Sequence, residues 1–518
     1  MKKPLNNYER VLDLEMQRVS ALWKSAVVGL AVGMVIVLYR FVLSKMEELS
    51  LGCYGFFLAH PALLPLLFAG LGGTGYLVGL LVDKHRQISG SGIPQTKGIM
   101  LGHFSFPWFD TLWSKFAGGA LAILAGLSLG REGPSIQLGA SVAEGIGKKL
   151  SPTHTEQKYL IASGASAGLA AAFNAPLAGV IFAMEEIFKY LSPIVLLFTT
   201  VSSVTASLVA RLAFGADPVF FFPTGSALPL SAYWMVCLLG LVLGGAGALY
   251  NTILLHTQKL YRKIGNLRLR VMIPFMLAGV VGLLFPVALG GGHGVLKHIH
   301  VSSGFLPILL ILAAKFAFSM ISFGSGAPGG IFFPMLILGT LFGSLFGHAA
   351  ILWFGLDAAL FNNLVILAMA GYFAAIVRAP LTATVLLLEM TGSFENLLSI
   401  VLIALIASTT ADMLKSMPIY DALLKNLLKD QSGNDFPDEG KKITMETVVH
   451  FGAYAAGRLV SELALPQDCL LIAVRREGKD IIPKGNTMLK ANDSLIFLIN
   501  VHNEAWQRET ILALTENL

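Results

Sequence analysis

Glycine-rich breaks inside long apolar segments constrain this chain more than any other feature of its sequence. Three breaks lie at 90–94 (GSGIP), 130–134 (GREGP) and 324–332 (GSGAPGGIF). Irregular backbone at membrane depth persists only where it is buried in protein or lines a cavity. The breaks therefore predict unwound backbone and broken helix ends around a polar site in the bilayer. The positive N-terminal ends of such half-helices favour an anion there.

The composition indicates a polytopic α-helical membrane protein. Of the 518 residues, 55% are hydrophobic and only 13% are charged, whereas about 25% of residues are charged in soluble domains. Hydrocarbon takes roughly 20 residues to span. The runs that span or nearly span it are 22–39, 58–82, 194–213, 232–255, 306–321 and 363–389.

The net charge is +6, and the basic residues gather in short stretches near predicted membrane ends. Such stretches mark the cytoplasmic side of a membrane protein, so we expect a cytoplasmic C-terminal tail and predict no nucleic-acid partner. The N-terminus is expected to be cytoplasmic as well. The three cysteines are scattered singly, and no metal-ligand spacing, phosphate-binding loop or nucleophile–base arrangement occurs. The sequence thus predicts no metal site, no cofactor and no enzyme activity.

The chain is expected to contain a membrane domain and a small soluble domain. Paired breaks, at 90–94 and 130–134 and again at 290–294 and 324–330, indicate two halves with a binding site between them. A polar, turn-rich segment follows Lys429, and short apolar runs at 470–474, 481–483 and 494–500 then predict strands before a helix at 503–516. The predicted divisions are an amphipathic cytoplasmic lead-in 1–19, a membrane domain 20–428, a linker 429–442 and an α+β domain 443–518.

The membrane motifs together resemble the CLC family of chloride channels and chloride/proton antiporters. The matching stretches are GSGIPQ at 90–95, GREGP at 130–134, FNAPLAGVIFAMEE at 173–186, GSGAPGGIFFP at 324–334 and PIYDALL at 418–424. The resemblance implies an all-α membrane fold of two inverted-topology halves with many short, broken helices. It also implies a homodimer in which each subunit holds its own anion pathway.

The resemblance assigns chloride ligands to four positions. Ser91 offers a hydroxyl between two glycines, and Ile331 and Phe332 open a half-helix whose N–H groups suit an anion. Tyr420 offers a phenolic hydroxyl; its alternative interpretation is a tyrosine of the membrane interface. The supporting motif residues are Gly90, Gly92, Pro94, Gly130, Arg131, Gly133 and Gly330.

Two acids are assigned proton roles by the same resemblance. Glu132, a carboxylate in an apolar region, is a functional candidate in its own right, and GREGP implies the external gating glutamate. Its alternative roles are a helix cap or a partner of Arg131. Glu186 matches the internal proton glutamate, whereas the pair Glu185–Glu186 could also mark a membrane interface. His293 is expected to be a hydrogen-bonded loop histidine.

The predicted function is a secondary active chloride/proton antiporter in the bacterial inner membrane. Typical CLC channels carry an uncharged residue where this chain has Glu186, and serine in GSGIP accompanies chloride rather than nitrate. Intact GREGP also sets the chain apart from the fluoride-exporting branch. A passive CLC chloride channel is the main alternative. A cation carrier is the second, although the Thr-Val-Gly-Tyr-Gly filter of potassium channels is missing from the sequence.

Residues 457–498 resemble the TrkA C-terminal (RCK_C) domain. The resemblance rests on a basic turn followed by Ile481-Ile482-Pro483, Gly485, Thr487, Leu489, Asp493 and Leu495. Eukaryotic CLC proteins usually carry paired CBS domains instead, so this tail points to a bacterial protein. Binding of a small regulatory ligand such as cyclic di-AMP, near Arg475 and Arg476, is one hypothesis. A dimerisation or folding module without a ligand is the other.

Overall fold

The computed structural model is mostly helical and divides into two units, Met1–Asn426 and Leu427–Leu518. The residues that it describes are 7–104, 107–151, 154–189, 193–215, 220, 222, 227–432, 442–450, 452–466, 469–476, 479–500 and 504–515. Most of the predicted linker, residues 1–6 of the predicted lead-in and part of the predicted turn at 475–479 lie outside these residues. The predicted fold class is confirmed.

The first unit consists of helices, several of them too short to cross a membrane. They are α1 (Asn7–Ala59), α2 (Leu64–Lys84), α3 (Ile93–Met100), α4 (Trp108–Leu124), α5 (Glu132–Leu150), α6 (His154–Phe173), α7 (Pro176–Phe182), α8 (Pro193–Phe214), α9 (Tyr233–Arg262), α10 (Leu267–Leu284), α11 (His293–Leu296), α12 (Phe305–Gly324), α13 (Phe332–Phe354), α14 (Phe361–Val377), α15 (Pro380–Thr391), α16 (Leu397–Met413) and α17 (Ile419–Ser432). Within the described part of the chain, nine helices are long and apolar enough to span a membrane. This chain is therefore a membrane protein.

The apolar run 363–389, predicted as a single segment, is divided in two. Helix α14 ends at Val377, and Arg378 adopts a left-handed conformation with φ of 66°. Pro380 then opens α15. Proline disfavours helical backbone in the residue before it but is well suited to the first position of a helix, which explains the break.

The two halves of the membrane unit repeat the same local structure about 200 residues apart. Lys115 on α4 donates to the carbonyl oxygens of Ile88 and Gly90, at 2.8 and 2.6 Å. Lys315 on α12 donates to those of Ala288 and Gly290, at 3.0 and 2.6 Å.

The backbone of the breaks repeats as well. Gly90 and Gly290 share left-handed φ values of 64° and 62°, which glycine adopts without steric cost. The breaks at 90–94 and 290–294 are thus equivalent backbone structures, each stabilised by a buried lysine.

The second unit is a small α+β domain. Its elements are β1 (Lys442–Val448), β2 (Leu470–Arg476), β3 (Lys479–Ile481), β4 (Ser494–Asn500) and α18 (Glu504–Thr515). The sheet has the order β1-β4-β2-β3 with antiparallel neighbours, and Val474 pairs with Leu495. Strand β1 is an addition to the sequence prediction. Helix α17 begins in the first unit and continues to Ser432, beyond residue 429, where the linker was expected to begin.

Candidate anion and proton site

Reciprocal backbone hydrogen bonds join the breaks of the two halves. The amide of Gly130 donates to the carbonyl of Gly330, and the amide of Gly330 donates to the carbonyl of Gly130, both at 2.7 Å. This antiparallel bridge holds the first residues of α5 and α13 side by side. Two helix N-termini therefore meet here, each with partial positive charge and with N–H donors that have no partner within the helix.

Ser91 lies directly against the start of α5. A Cβ atom at Gly133 would lie 2.3 Å from the hydroxyl oxygen of Ser91 and 2.7 Å from its carbonyl oxygen, so only glycine allows this approach. Ser91 is buried, and its hydroxyl has no hydrogen-bond partner among the described residues. Helix α3 begins two residues later, which brings a third helix N-terminus to the same place.

Ile331 and Phe332 stand at the entry to α13. Ile331 precedes the helix and Phe332 is its first residue, so their amides belong to the helix end that has no partners within the helix. The Phe332 ring packs against Phe173 and Phe373, with centroid distances of 5.1 and 4.6 Å. This packing fixes the backbone from which the amides would face an anion.

Tyr420, at the start of α17, is fully buried rather than at a lipid-facing interface. Its hydroxyl has no hydrogen-bond partner within the described part of the chain. It is close enough to both Glu132 and Glu186 for electrostatic interaction with each. A buried hydroxyl without a protein partner costs free energy, and a bound anion would remove that cost.

Glu132 is the first residue of α5 and is almost completely buried, with 1% exposure. Its Oε1 lies 3.8 Å from Nε of Arg131, beyond hydrogen-bond distance. Backbone amides of Arg131, Glu132 and Phe333 lie near the carboxylate, but none is placed for a well-formed hydrogen bond. The carboxylate thus occupies the convergence of helix N-termini, where an anion is also favoured.

Glu186 belongs to a π-helical segment, Ala183–Phe188, and is 2% exposed. Its Oε1 accepts a hydrogen bond from Nζ of Lys97 at 2.8 Å. Lys97 is also bonded to Asp421, which in turn accepts from Lys189 at 2.5 Å. A buried ion-pair network therefore surrounds this carboxylate.

Glu185, the adjacent acid, has a different environment. It accepts hydrogen bonds from the amides of Leu381 and Thr382, at 3.1 and 2.7 Å, and so caps the N-terminus of α15. Glu389 caps α7 in the same way through Leu177 and Ala178. Glu185 is therefore a structural cap, and Glu186 is the acid of the pair that faces the interior.

The two candidate proton residues lie near well-separated positions along α1. Lys24 on α1 binds Glu156 at 2.6 Å near the start of α6. Tyr159, also in the first turns of α6, packs against the small cluster that contains Met184, two residues before Glu186. Further along α1, Glu47 lines a cavity with Glu132. Lys24 and Glu47 are about 35 Å apart at 1.5 Å per helical residue, which is comparable with the hydrocarbon thickness of roughly 30 Å.

The sequence prediction missed Lys97, Asp421 and the two symmetric lysines, Lys115 and Lys315. A lysine inside an apolar helix is itself a signal, because an intramembrane charge is expensive and is usually paired or functional. Asp421 gave no comparable signal, since it follows Tyr420 close to the end of the membrane unit. Its contact with Lys97 spans 324 residues of sequence.

Comparison with known proteins is consistent with this architecture. Residues 74–412 match the family described as voltage gated chloride channel, and residues 444–505 match the TrkA-C domain. The chain therefore belongs to the CLC family, and its tail is a TrkA-C domain. Both resemblances predicted from the sequence are confirmed.

The similar proteins include named exchangers. H(+)/Cl(-) exchange transporter ClcA of Salmonella agona (strain SL483) is 35% identical over 82% of this chain and 92% of its own length. ClcA of Klebsiella pneumoniae is 36% identical over the same shares. A slow cyanobacterial Cl-/H+ antiporter is structurally similar, with a TM-score of 0.76 and 30% identity over 80% of this chain and 99% of that chain.

Proposed function

We propose that this chain is a secondary active chloride/proton antiporter. The observation that carries the proposal is a pair of buried carboxylates, Glu132 and Glu186, with Tyr420 between them in the sense that it interacts electrostatically with each. The exchange activity named for the ClcA relatives supports the same function. Chloride is the proposed anion, because Ser91 provides the chloride-type residue in GSGIP.

In the proposed cycle, Ser91, Tyr420 and the amides of Ile331 and Phe332 hold the central chloride. Ionised Glu132 competes for the positive end of α5, as a tethered substitute for the anion. Protonation removes that charge, so the side chain leaves and chloride takes its place. Glu186 exchanges the proton with the cytoplasm.

The variant Glu132→Gln tests the gating role. Glutamine keeps the shape of the side chain but cannot ionise, so it should imitate permanent protonation. Proteoliposomes carrying the variant should retain chloride flux and lose proton flux. Loss of both fluxes in a variant that elutes as a folded dimer would contradict the role of Glu132 as a gate.

One observation favours the alternative function, a passive chloride channel. The ion pair of Glu186 with Lys97, at 2.8 Å and with side-chain exposures of 2% and 4%, gives the carboxylate a fixed cationic partner. Antiport requires Glu186 to gain and lose a proton beside Lys97, whereas a channel does not. Measurement of proton flux alongside chloride flux separates the two functions.

We further propose a homodimer in the bacterial inner membrane with both termini in the cytoplasm. A ligand role for the tail, with cyclic di-AMP as the example, stays a prediction. Arg475 is bonded to Asp480 at 2.9 Å, and Arg476 forms two bonds of 2.7 Å with Asp493. These contacts support a structural role for both arginines. Calorimetry of the full chain with cyclic di-AMP tests the ligand hypothesis, and absence of heat would remove it.

A further inference from the structure

His293 and Glu47 line the same small cavity as Glu132. The sequence predicted only an ordinary loop histidine at His293. Nδ1 of His293 is 3.7 Å from Oε1 of Glu47, and the two side chains are 42% and 31% exposed. The imidazole stacks on Phe333 at a centroid distance of 4.3 Å. The pair therefore reaches from the surface of the membrane unit to the residue that follows Phe332 at the anion site.

A water-sized cavity connects this pair with Glu132. The cavity has a volume of about 20 Å³, whereas a single water needs about 10–15 Å³ by the same kind of measure. Its polar lining residues are Ser44, Glu47, Arg131, Glu132 and His293.

Four buried polar atoms on the lining residues have no hydrogen bond with the described residues: Nδ1 of His293, Nε of Arg131 and both carboxylate oxygens of Glu132. Buried waters typically occupy sites where about three such groups converge. A water in this cavity would satisfy them.

We infer that His293, held beside Glu47, is a proton-transfer residue that exchanges protons with Glu132 through one water in this cavity. The inference rests on the proposed antiport. Nδ1–H of the imidazolium gives its proton to the water, and the water passes one of its own protons to the Glu132 carboxylate. An imidazolium and a carboxylate thus become a neutral imidazole and a carboxylic acid, with the water regenerated. The neutral ring then turns its vacant Nδ1 from the cavity toward the solution, takes a proton there and turns back as the imidazolium.

Charged groups from three other parts of the fold lie near the pair and Glu132. Arg131 and Lys315 both interact electrostatically with Glu47, and Arg40 on α1 interacts with Arg131 and Glu132. Glu47, 3.7 Å from Nδ1 of His293, carries the charge opposite to these cations. Histidine is the side chain whose unperturbed titration falls between about pH 5 and 8, which suits a residue that must gain and lose protons in every cycle.

The test compares wild type with His293→Gln in proteoliposomes, by coupled proton and chloride flux across a range of pH. Without the relay, coupled flux should fall about 10-fold at about pH 8, where protons are scarce, and recover toward wild type at about pH 5. Glu47→Gln should give a smaller change with the same pH dependence, and remains informative if His293→Gln does not fold. The matched control is His348→Gln, because the ring nitrogens of His348 bond to the carbonyl oxygens of Ser344 and Val301 and its ring packs on Phe361, away from Glu132. It should leave the profile unchanged.

A packing role for His293 predicts a different result. If the stacking on Phe333 were what mattered, His293→Gln would slow flux equally at every pH, and would also slow chloride flux in the Glu132→Gln background. The relay predicts no effect in that background, because Glu132 no longer needs a proton. Equal slowing at all pH values, or an unchanged profile, would overturn the relay and leave the antiport proposal intact. Absence of proton flux in wild type would overturn both.

Discussion

Gly133→Ala tests the close approach between Ser91 and the start of α5. The added Cβ would lie 2.3 Å from Oγ of Ser91, 2.7 Å from its carbonyl oxygen and 3.3 Å from Cα of Gly330. Heavy atoms pack at about 3.5 Å or more, so Ser91 must move by roughly 1 Å. Overpacking of this kind costs about 1–3 kcal/mol. If that cost falls on the anion-bound state, chloride affinity should drop about 5- to 150-fold.

Isothermal titration calorimetry of the purified protein with chloride measures this effect. Gly70→Ala is the matched control, because nothing lies within 4 Å of the new Cβ on α2. Ser91→Ala removes the hydroxyl and should weaken binding by itself. The double variant Gly133→Ala/Ser91→Ala should then lose less than the sum of the two effects, because the 2.3 Å contact no longer exists. Wild-type affinity in folded Gly133→Ala would refute the assignment of Ser91 as a ligand.

Two further predictions concern charged pairs. Lys97→Met should destabilise the folded protein by about 3–5 kcal/mol, because it leaves Glu186 without its buried cationic partner. Thermal unfolding in detergent measures this loss, and an unchanged melting temperature would contradict the buried pair. In the TrkA-C domain, burial would raise the pKa of Asp493, but bonds from Arg476 and from the amide of Lys490 outweigh it and hold that pKa below its usual value. A depressed pKa stabilises the domain at pH values above about 3.9, and this contribution is lost as pH falls through the folded-state pKa. Hydrogen exchange of β4 in the full chain should therefore accelerate below about pH 4, beyond the change in intrinsic rate, and Asp493→Asn should remove that dependence.

Sequence reasoning predicted those features that depend on neighbouring residues. The break at Ser91 and the position of Glu132 follow from glycine and proline next to a polar group in an apolar segment. The division of 363–389 has a local signal in Pro380, which opens α15. Strand β1 was missed because its residues, 442–448, straddle the predicted linker boundary and have only a short apolar pattern.

Contacts between distant segments could not be predicted in the same way. Lys97 and Glu186 are separated by 89 residues, and their pairing depends on how α3 and the π-helical segment pack. Glu185 and Glu186 look equivalent in the sequence, yet one caps α15 and the other faces Lys97. The small cavity that joins His293 to Glu132 is likewise a product of packing, which explains why the histidine was expected to be a simple loop residue.

The central claim is proton-coupled chloride exchange, and the most direct measurement is proton movement in chloride-loaded liposomes driven only by a chloride gradient. We predict uphill proton movement in wild type, its abolition with retained chloride flux in Glu186→Gln, and its retention in Glu185→Gln, because Glu185 only caps a helix. Chloride flux without any proton movement in the wild-type protein would contradict the account and make this chain a chloride channel.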